Sequence, residues 1–234
     1  GTVRAALFGH LTHTTSDAGK EGYTAIGFHP KSRVWSWFIP LSGEIASVGL
    51  VAPKTKIGEI RKNPDRWRAE LYQNKWFYNH LRNAELRGNE IIACPFNGYK
   101  CNYAAAPGLV LVGDALYFNN PIFSTGVQIA LSSGKFCADL IDRALKGNSE
   151  SQELHSYAET VTRGLTAFDR IIRAFHDSHY DHRNMRNQPG FREHLNELLA
   201  GNAFDRDYKE LYEVLEANGV ALSEGATFGV WGPK

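Results

Sequence analysis

The sequence predicts an α+β fold, and three observations predict it. The first fifty residues hold short runs rich in aromatic and β-branched residues, separated by turn formers, as antiparallel strands require. An apolar run, Leu109-Val110-Leu111-Val112, leads straight into Gly113-Asp114, and a helical stretch opens at Gly126. From Ser151 onward the pattern is helix after helix. The order implies an antiparallel sheet with helices over 1–106, a strand and helix of a second domain over 107–147, and a helical C-terminal region over 148–234.

The elements follow in order. Residues 3–8 read as a strand, 9–22 as a polar loop, 23–28 as a second strand, and His29-Pro30-Lys31-Ser32 as a turn. Residues 34–41 and 45–51 form a hairpin across Ser42-Gly43-Glu44, giving about four antiparallel strands joined in sequence. A short helix over 56–61 follows, and Asn63-Pro64 caps another that runs to about residue 86. Residues 95–106 link, with a short strand near 100–103, and 109–112 read as a buried strand. The helix from Gly126 runs to about Leu145 and ends at Gly147. The remaining helices span 153–174 or beyond, 191–199 and 205–218, with a polar break at Gln188-Pro189-Gly190.

Bulk properties narrow the function classes. The net charge of +1 gives no electrostatic reason to expect nucleic acid or an anionic membrane as partner. No apolar run approaches the roughly 18–20 residues of a membrane helix, and the first residues do not read as a signal peptide. Cys94, Cys101 and Cys137 are too few and too scattered for a disulfide framework or a C-x-x-C metal site, and read as reduced thiols of a cytoplasmic protein.

The stretch 113–134, GDALYFNNPIFSTGVQIALSSG, carries the most chemistry. A strand, a tight turn and a helix start make a place for a polar, electron-rich ligand, because helix-start amides are unpaired and partly positive. Glycine lets the backbone approach such a ligand closely. This stretch resembles the second flavin-contact motif of class A flavoprotein monooxygenases. Trp35-Ser36-Trp37-Phe38-Ile39-Pro40 fits W-x-W-x-I-P, and Phe118, Pro121, Ser124 and Gly126 fit F-x-x-P-x-x-S-x-G, two patterns of the flavin-dependent halogenases. Both occur in the family's order, and the resemblance covers most of the first 145 residues.

The resemblance implies a cofactor, FAD, contacted by Gly113, Asp114, Pro121, Gly126 and Val127. It implies a halide held by amides of Ser124, Thr125 and Gly126, and a substrate tunnel lined by Trp35, Trp37, Pro40, Phe118 and Phe123. The sheet becomes part of a substrate domain, and 107–147 the return to the FAD domain. Reduced FAD and oxygen would oxidise chloride to hypochlorous acid, which reaches an aromatic substrate, and a flavin reductase would supply the reduced cofactor. A glutamate precedes the matching serine in tryptophan-type relatives. Phe123 stands there instead, which points to phenol- or pyrrole-type substrates, including carrier-bound ones. Asn120 replaces a more common aspartate, and Leu116-Tyr117 is bulky after Gly-Asp-Ala.

The N-terminal unit of such proteins, a strand, G-x-G-x-x-G and a helix, has no counterpart here, and the resemblance places the family's halogenation lysine in the same missing N-terminal half, beyond that unit. The catalytic residue is therefore not assigned in this chain. A start at Gly1 with a strand under way favours a fragment of a longer flavoprotein; one half of a split protein or a degenerate relative are the alternatives.

Plainer readings stand beside these. Asp114 could be a capping residue without a ligand, Ser124 or Thr125 an ordinary N-cap, and the tryptophans a packed strand face. His176, His179 and His182 could ligate zinc, but a solvated helix face explains them, and no metal is expected. Arg61, Lys62, Arg66 and Arg68 interleave with Glu59, Asp65 and Glu70 as a solvated surface. The expected function is an FAD-dependent, halogenase-like oxidoreductase. An FAD monooxygenase or dehydrogenase of the same superfamily, or a non-catalytic binding module, is the alternative.

Overall fold

The computed structural model describes residues 4–29, 34–177 and 179–232. The turn expected at His29-Pro30-Lys31-Ser32 lies, beyond His29, outside them, as does the first residue of the strand expected over 3–8. The fold is α+β, and the chain divides into two units, Gly1–Asn97 and Gly98–Lys234.

The first unit is an antiparallel sheet under three helices. Strands β1 (Arg4–Thr12), β2 (Ala25–His29), β3 (Val34–Pro40) and β4 (Ala46–Pro53) lead to helices α1 (Lys54–Ile60), α2 (Pro64–Tyr72) and α3 (Lys75–Leu81). Strands β5 (Glu85–Leu86) and β6 (Ile92–Phe96) follow. The order is β2-β3-β4-β1, with β5 and β6 sharing the outer edge of β1. The strands are thus not a simple meander, since β1 crosses to pair with β4, Leu7 opposite Leu50.

Period-two alternation explains the core. Ala5, Leu7 and Leu11 of β1, Val34 and Phe38 of β3, and Val48 and Leu50 of β4 turn one way and meet Ile57, Ile60, Trp67, Leu71, Phe77 and Leu81 of the helices. The Trp67 indole donates to the Leu7 carbonyl at 3.1 Å, tying helix to sheet. Three expectations needed correction. β1 continues to Thr12 because Leu11 keeps the buried period, so the polar loop starts later than residue 9. The helix expected up to residue 86 breaks at Asn74, whose side chain accepts the Trp76 amide and restarts it as α3. β6, which was not expected, ends inside the stretch read as a link from residue 95.

The second unit is built on a long helix. After β7 (Tyr99–Lys100), β8 (Tyr103–Ala106), β9 (Leu109–Val110) and β10 (Tyr117–Phe118) come α4 (Gly126–Leu145) and α5 (Glu150–Ala174). Short helices α6 (His182–Met185), α7 (Phe191–Leu199) and α8 (Lys209–Ala217) and a last strand, β11 (Gly229–Val230), complete it. β8 lies between β9, antiparallel, and β11, parallel. α5 buries Leu154, Val161, Leu165, Phe168 and Ile172 along one stripe, as an amphipathic helix does. Gly164 admits Phe204, for a Cβ there would sit 2.1 Å from the ring. The buried strand expected over 109–112 is not found: only Leu109–Val110 is strand, and Leu109 is 56% exposed. α8 starts at Lys209 rather than at 205 because residues 202–204 form a separate turn that buries Phe204. No helix among the described residues is long and apolar enough to cross a membrane.

Candidate functional site

The site begins where the chain leaves β9. Gly113 adopts φ +54°, and a Cβ there would lie 3.2 Å from that of Ala130 on α4. This is a position only glycine fills without strain. Its amide donates to Ser133 Oγ at 2.9 Å, and that hydroxyl donates to the Ile129 carbonyl, pinning the turn against the flank of α4. The turn Gly113–Ala115 leaves Asp114 exposed, and the carboxylate has no hydrogen-bond partner among the described residues. The Asp114 carbonyl is held by the Tyr99 hydroxyl.

The loop next passes β10 and the turn Pro121–Phe123, and reaches Ser124 at φ 55°, ψ 31°. This left-handed geometry is uncommon for a residue with a side chain and gathers where a loop is shaped for a ligand. Thr125 then starts α4, and no side chain caps the helix. Neither Ser124 nor Thr125 acts as the ordinary N-cap considered above. The first amides of a twenty-residue helix therefore lack a side-chain acceptor, at an end where Gly126 and Val127 are exposed. Close by in sequence, Asn120 Oδ1 and Gln128 Nε2 are buried without a hydrogen-bond partner among the described residues. Such unmet polar atoms are rare and mark places where a ligand or water completes the bonding.

The loop is supported from α5. Asp169, 3% exposed, accepts from Tyr117 Oη at 3.1 Å, Asn119 Nδ2 at 3.4 Å, Ser223 Oγ at 2.8 Å and Arg173 Nε at 2.7 Å. Burial, and next the Asp169 charge, push the Tyr117 phenol far above its ordinary value, so it stays a donor. Asn120 Nδ2 meets His176 Nε2 at 3.1 Å, and Phe123 meets Phe175 edge-to-face at 4.6 Å. As supports of the loop, Asp169, Phe175 and His176 were missed; His176 was weighed only as a zinc ligand. The one signal for Asp169 is a carboxylate beside Phe168 on an otherwise apolar stripe.

The histidines do not share one helix, because α5 ends at Ala174 and α6 begins only at His182. His176 faces Asn120, His179 pairs with Asp177 at 3.0 Å, and His182 lies against Phe175 and Tyr180. Burial lowers the His182 pKa, and the Arg186 charge lowers it further. Among the described residues no three His, Cys, Asp or Glu side chains converge as metal ligands.

In the first unit, Trp35 and Trp37 share the sheet face away from the helices, ring centroids 5.8 Å apart. Trp37 donates to Ser47 Oγ at 3.2 Å and lies over Gly49, where a Cβ would come within 2.3 Å of the ring. Trp35 is buried, and its Nε1 has no partner among the described residues. Pro40 ends β3 opposite Ala46. Gly113, Asp114, Phe118, Pro121, Phe123, Ser124, Thr125, Gly126 and Val127 thus share one loop and helix start in the second unit, while Trp35, Trp37 and Pro40 belong to the first.

Over 203 residues the chain is 29% identical to the 1H-pyrrole-2-carbonyl-(peptidyl-carrier protein) brominase of Pseudoalteromonas luteoviolacea, covering 86% of this chain and 50% of the relative. The chain resembles the flavin-dependent halogenases. It is 26% identical over 201 residues to the corresponding chlorinase of Pseudomonas fluorescens, covering 81% of this chain and 42% of that one. The solved structure of the flavin-dependent brominase Bmp2 superposes with a TM-score of 0.80 at 26% identity, over 92% of this chain and 55% of that chain. The halogenase likeness therefore runs well past residue 145, into the helices that carry little motif information. The chain spans about half the length of the curated relatives it matches. No family model matches it.

Proposed function

We propose that this chain forms the substrate-domain and C-terminal part of an FAD-dependent, halogenase-like oxidoreductase acting on an aromatic substrate, pyrrole-type and carrier-bound. The observation that carries this reading is the uncapped start of α4 behind the left-handed Ser124, flanked by the unmet polar atoms of Asn120 and Gln128. The brominase and chlorinase relatives, named for pyrrole-2-carbonyl carried on a peptidyl-carrier protein, support the substrate class.

The residues fit a flavin. Gly113 offers a backbone approach that a Cβ would close, and Asp114 offers a carboxylate free to accept from a sugar hydroxyl. Pro121, Gly126 and Val127 would complete the contact, and the amides of Ser124, Thr125 and Gly126 would hold the halide, as helix starts hold anions. FAD, when bound and reduced, supplies oxygen activation. This chain's residues orient and exclude: in the second unit Phe118 and Phe123 would shield the oxidant from water, and in the first unit Trp35, Trp37 and Pro40 would serve the aromatic substrate. The sheet with its helices (1–106) would serve the substrate, 107–147 the flavin, and 148–234 the support of the loop. The halogenation lysine and the dinucleotide cradle would come from a complementary N-terminal half, reduced FAD from a flavin reductase, and the setting would be cytoplasmic.

The test supplies the native protein with reduced FAD, oxygen and pyrrole-2-carbonyl thioester, and weighs the product with and without bromide or chloride. A mass gain of halogen only when halide is present is expected. Equal oxidation without halide would replace this reading with a monooxygenase.

A further inference from the structure

In the sheet order β2-β3-β4-β1, two strands lie between β1 and β2, so residues 13–24 must cross the end of the β3–β4 hairpin, about 14 Å over three spacings of ~4.8 Å. The crossing is fastened at two places. At its start the chain turns at His13, φ 56°, and meets the hairpin turn. There the Thr14 amide and hydroxyl both donate to the Glu44 carbonyl, at 3.1 and 2.8 Å, and His13 Nδ1 lies 3.4 Å from the Glu44 carboxylate. The chain then reaches the end of α3, where the Thr15 amide donates to the His80 carbonyl at 3.3 Å. One oxygen of the Asp17 carboxylate accepts the Trp76 indole N–H at 3.0 Å, and the other faces His80 Nε2 at 3.1 Å. From Asp17 to Thr24 the crossing is exposed.

The second fastening depends on the protonation of His80. Its Nδ1 lies 2.7 Å from the Trp76 carbonyl oxygen, while Nε2 lies against Asp17. A carbonyl and an ionised carboxylate only accept, so both ring nitrogens must donate, and only the imidazolium carries two N–H groups. In either neutral form one nitrogen turns a lone pair on an oxygen. The ring also stacks on the Trp76 indole, centroids 4.0 Å apart, where a positive charge is stabilised. The Trp76 indole bond, with the His80 and Lys20 charges, holds the Asp17 carboxyl below its ordinary range, so it stays ionised. Asp17 and Lys20 are the charged groups at this clasp, and the His13–Glu44 pair sits apart at the hairpin turn.

We propose that residues 13–24 are a proton-locked strap across the end of the sheet: protonated His80 clasps Asp17 and holds the strap against α3, and loss of that proton loosens it. The clasp forms with a proton on His80 and none on Asp17. It is therefore complete at mildly acidic pH and weakens as pH rises through the titration of His80. It weakens again in stronger acid, as Asp17 takes up a proton below its ordinary range. Nothing in the strap depends on a flavin, since it lies wholly within the first unit.

The experiment is hydrogen exchange of residues 13–24, read by mass spectrometry at roughly pH 5.5 and pH 8.5, either side of the ordinary histidine value of about 6.5. Rates are corrected for the intrinsic pH dependence of exchange, and β4 (Ala46–Pro53) serves as the control for global unfolding. The 15N shifts of the His80 ring count its protons in the same buffers. The expected result is several-fold stronger protection of the strap at the lower pH, with two ring N–H groups there and one at the higher. His80→Gln and Asp17→Asn should each abolish the difference, and His13→Gln should keep most of it. Equal protection at both pH values overturns the proposal, as does a His80 ring with a single proton at the lower one. So does a pH difference that survives in His80→Gln, or one shared equally by β4.

Discussion

The sheet of the first unit and helix α4 of the second differ in how completely they cover their own apolar residues. In the sheet, the inward apolar residues of β1, β3 and β4 join one buried cluster with residues of α1–α3, and Trp67, Phe77 and Leu81 are about 1% exposed. In α4, Ile129 and Leu140 are covered, while Leu131 and Leu145 on the other side face solvent. The helix has an apolar face left over, and the candidate ligand loop sits at its N-terminal end. Functional geometry is thus placed at the element whose packing is least complete.

The comparison breaks most sharply under paired substitutions. Trp67→Ala removes the largest fully buried side chain and its bond to Leu7, and should cost about 3–5 kcal/mol in chemical denaturation. Leu131→Glu should stay within about 0.5 kcal/mol in the isolated chain. A large loss from Leu131→Glu would mean that α4 is already covered.

Asp169→Ala comes next. It leaves Tyr117, Asn119 and Ser223 without their buried acceptor, and about 2–4 kcal/mol should be lost. Amide exchange should speed up at 117–124. If exchange there is unchanged, the loop does not depend on α5. Gly49→Ala is smaller, about 1–3 kcal/mol, because its Cβ must displace the Trp37 ring. A shift in tryptophan fluorescence should accompany it, and an unshifted spectrum would contradict the placement of Trp37 over Gly49.

The smallest effect is a pH dependence. Burial lowers the pKa of His29, and Lys56 lowers it further against the opposing pull of Glu70; its Nε2 meets Ser36 Oγ at 3.0 Å. The folded state therefore takes up this proton less readily than the unfolded chain. The stabilisation is complete above the unfolded value of about 6.5 and is lost as pH falls through the lower folded value. His29→Gln should flatten the slope of stability between the folded value and about 6.5. An unchanged slope would place the titration elsewhere.

The hairpin β3–β4 was legible because its strands alternate by two around a turn at Ser42-Gly43-Glu44. β6 was not, because Pro95 reads as a break. It is tolerated there since, among the described residues, β6 pairs with β1 alone and needs no donor on its other side. The apolar run at 109–112 read as a buried strand, since sequence shows which residues are apolar and not what covers them. Gly113, Ser124 and Gly126 were legible because a turn and a helix start leave local marks. Asp169, and the contact of His176 with Asn120, were not, because these residues reach the loop from more than fifty residues away in the chain.

The loop 113–127 is proposed to hold a flavin with a halide beside it. The direct measurement is the flavin content of the purified native protein and the change in its absorption spectrum on titration with bromide, with sulfate as control. The account predicts bound FAD and a saturable shift with bromide alone. A native protein that carries and takes up no flavin would contradict it.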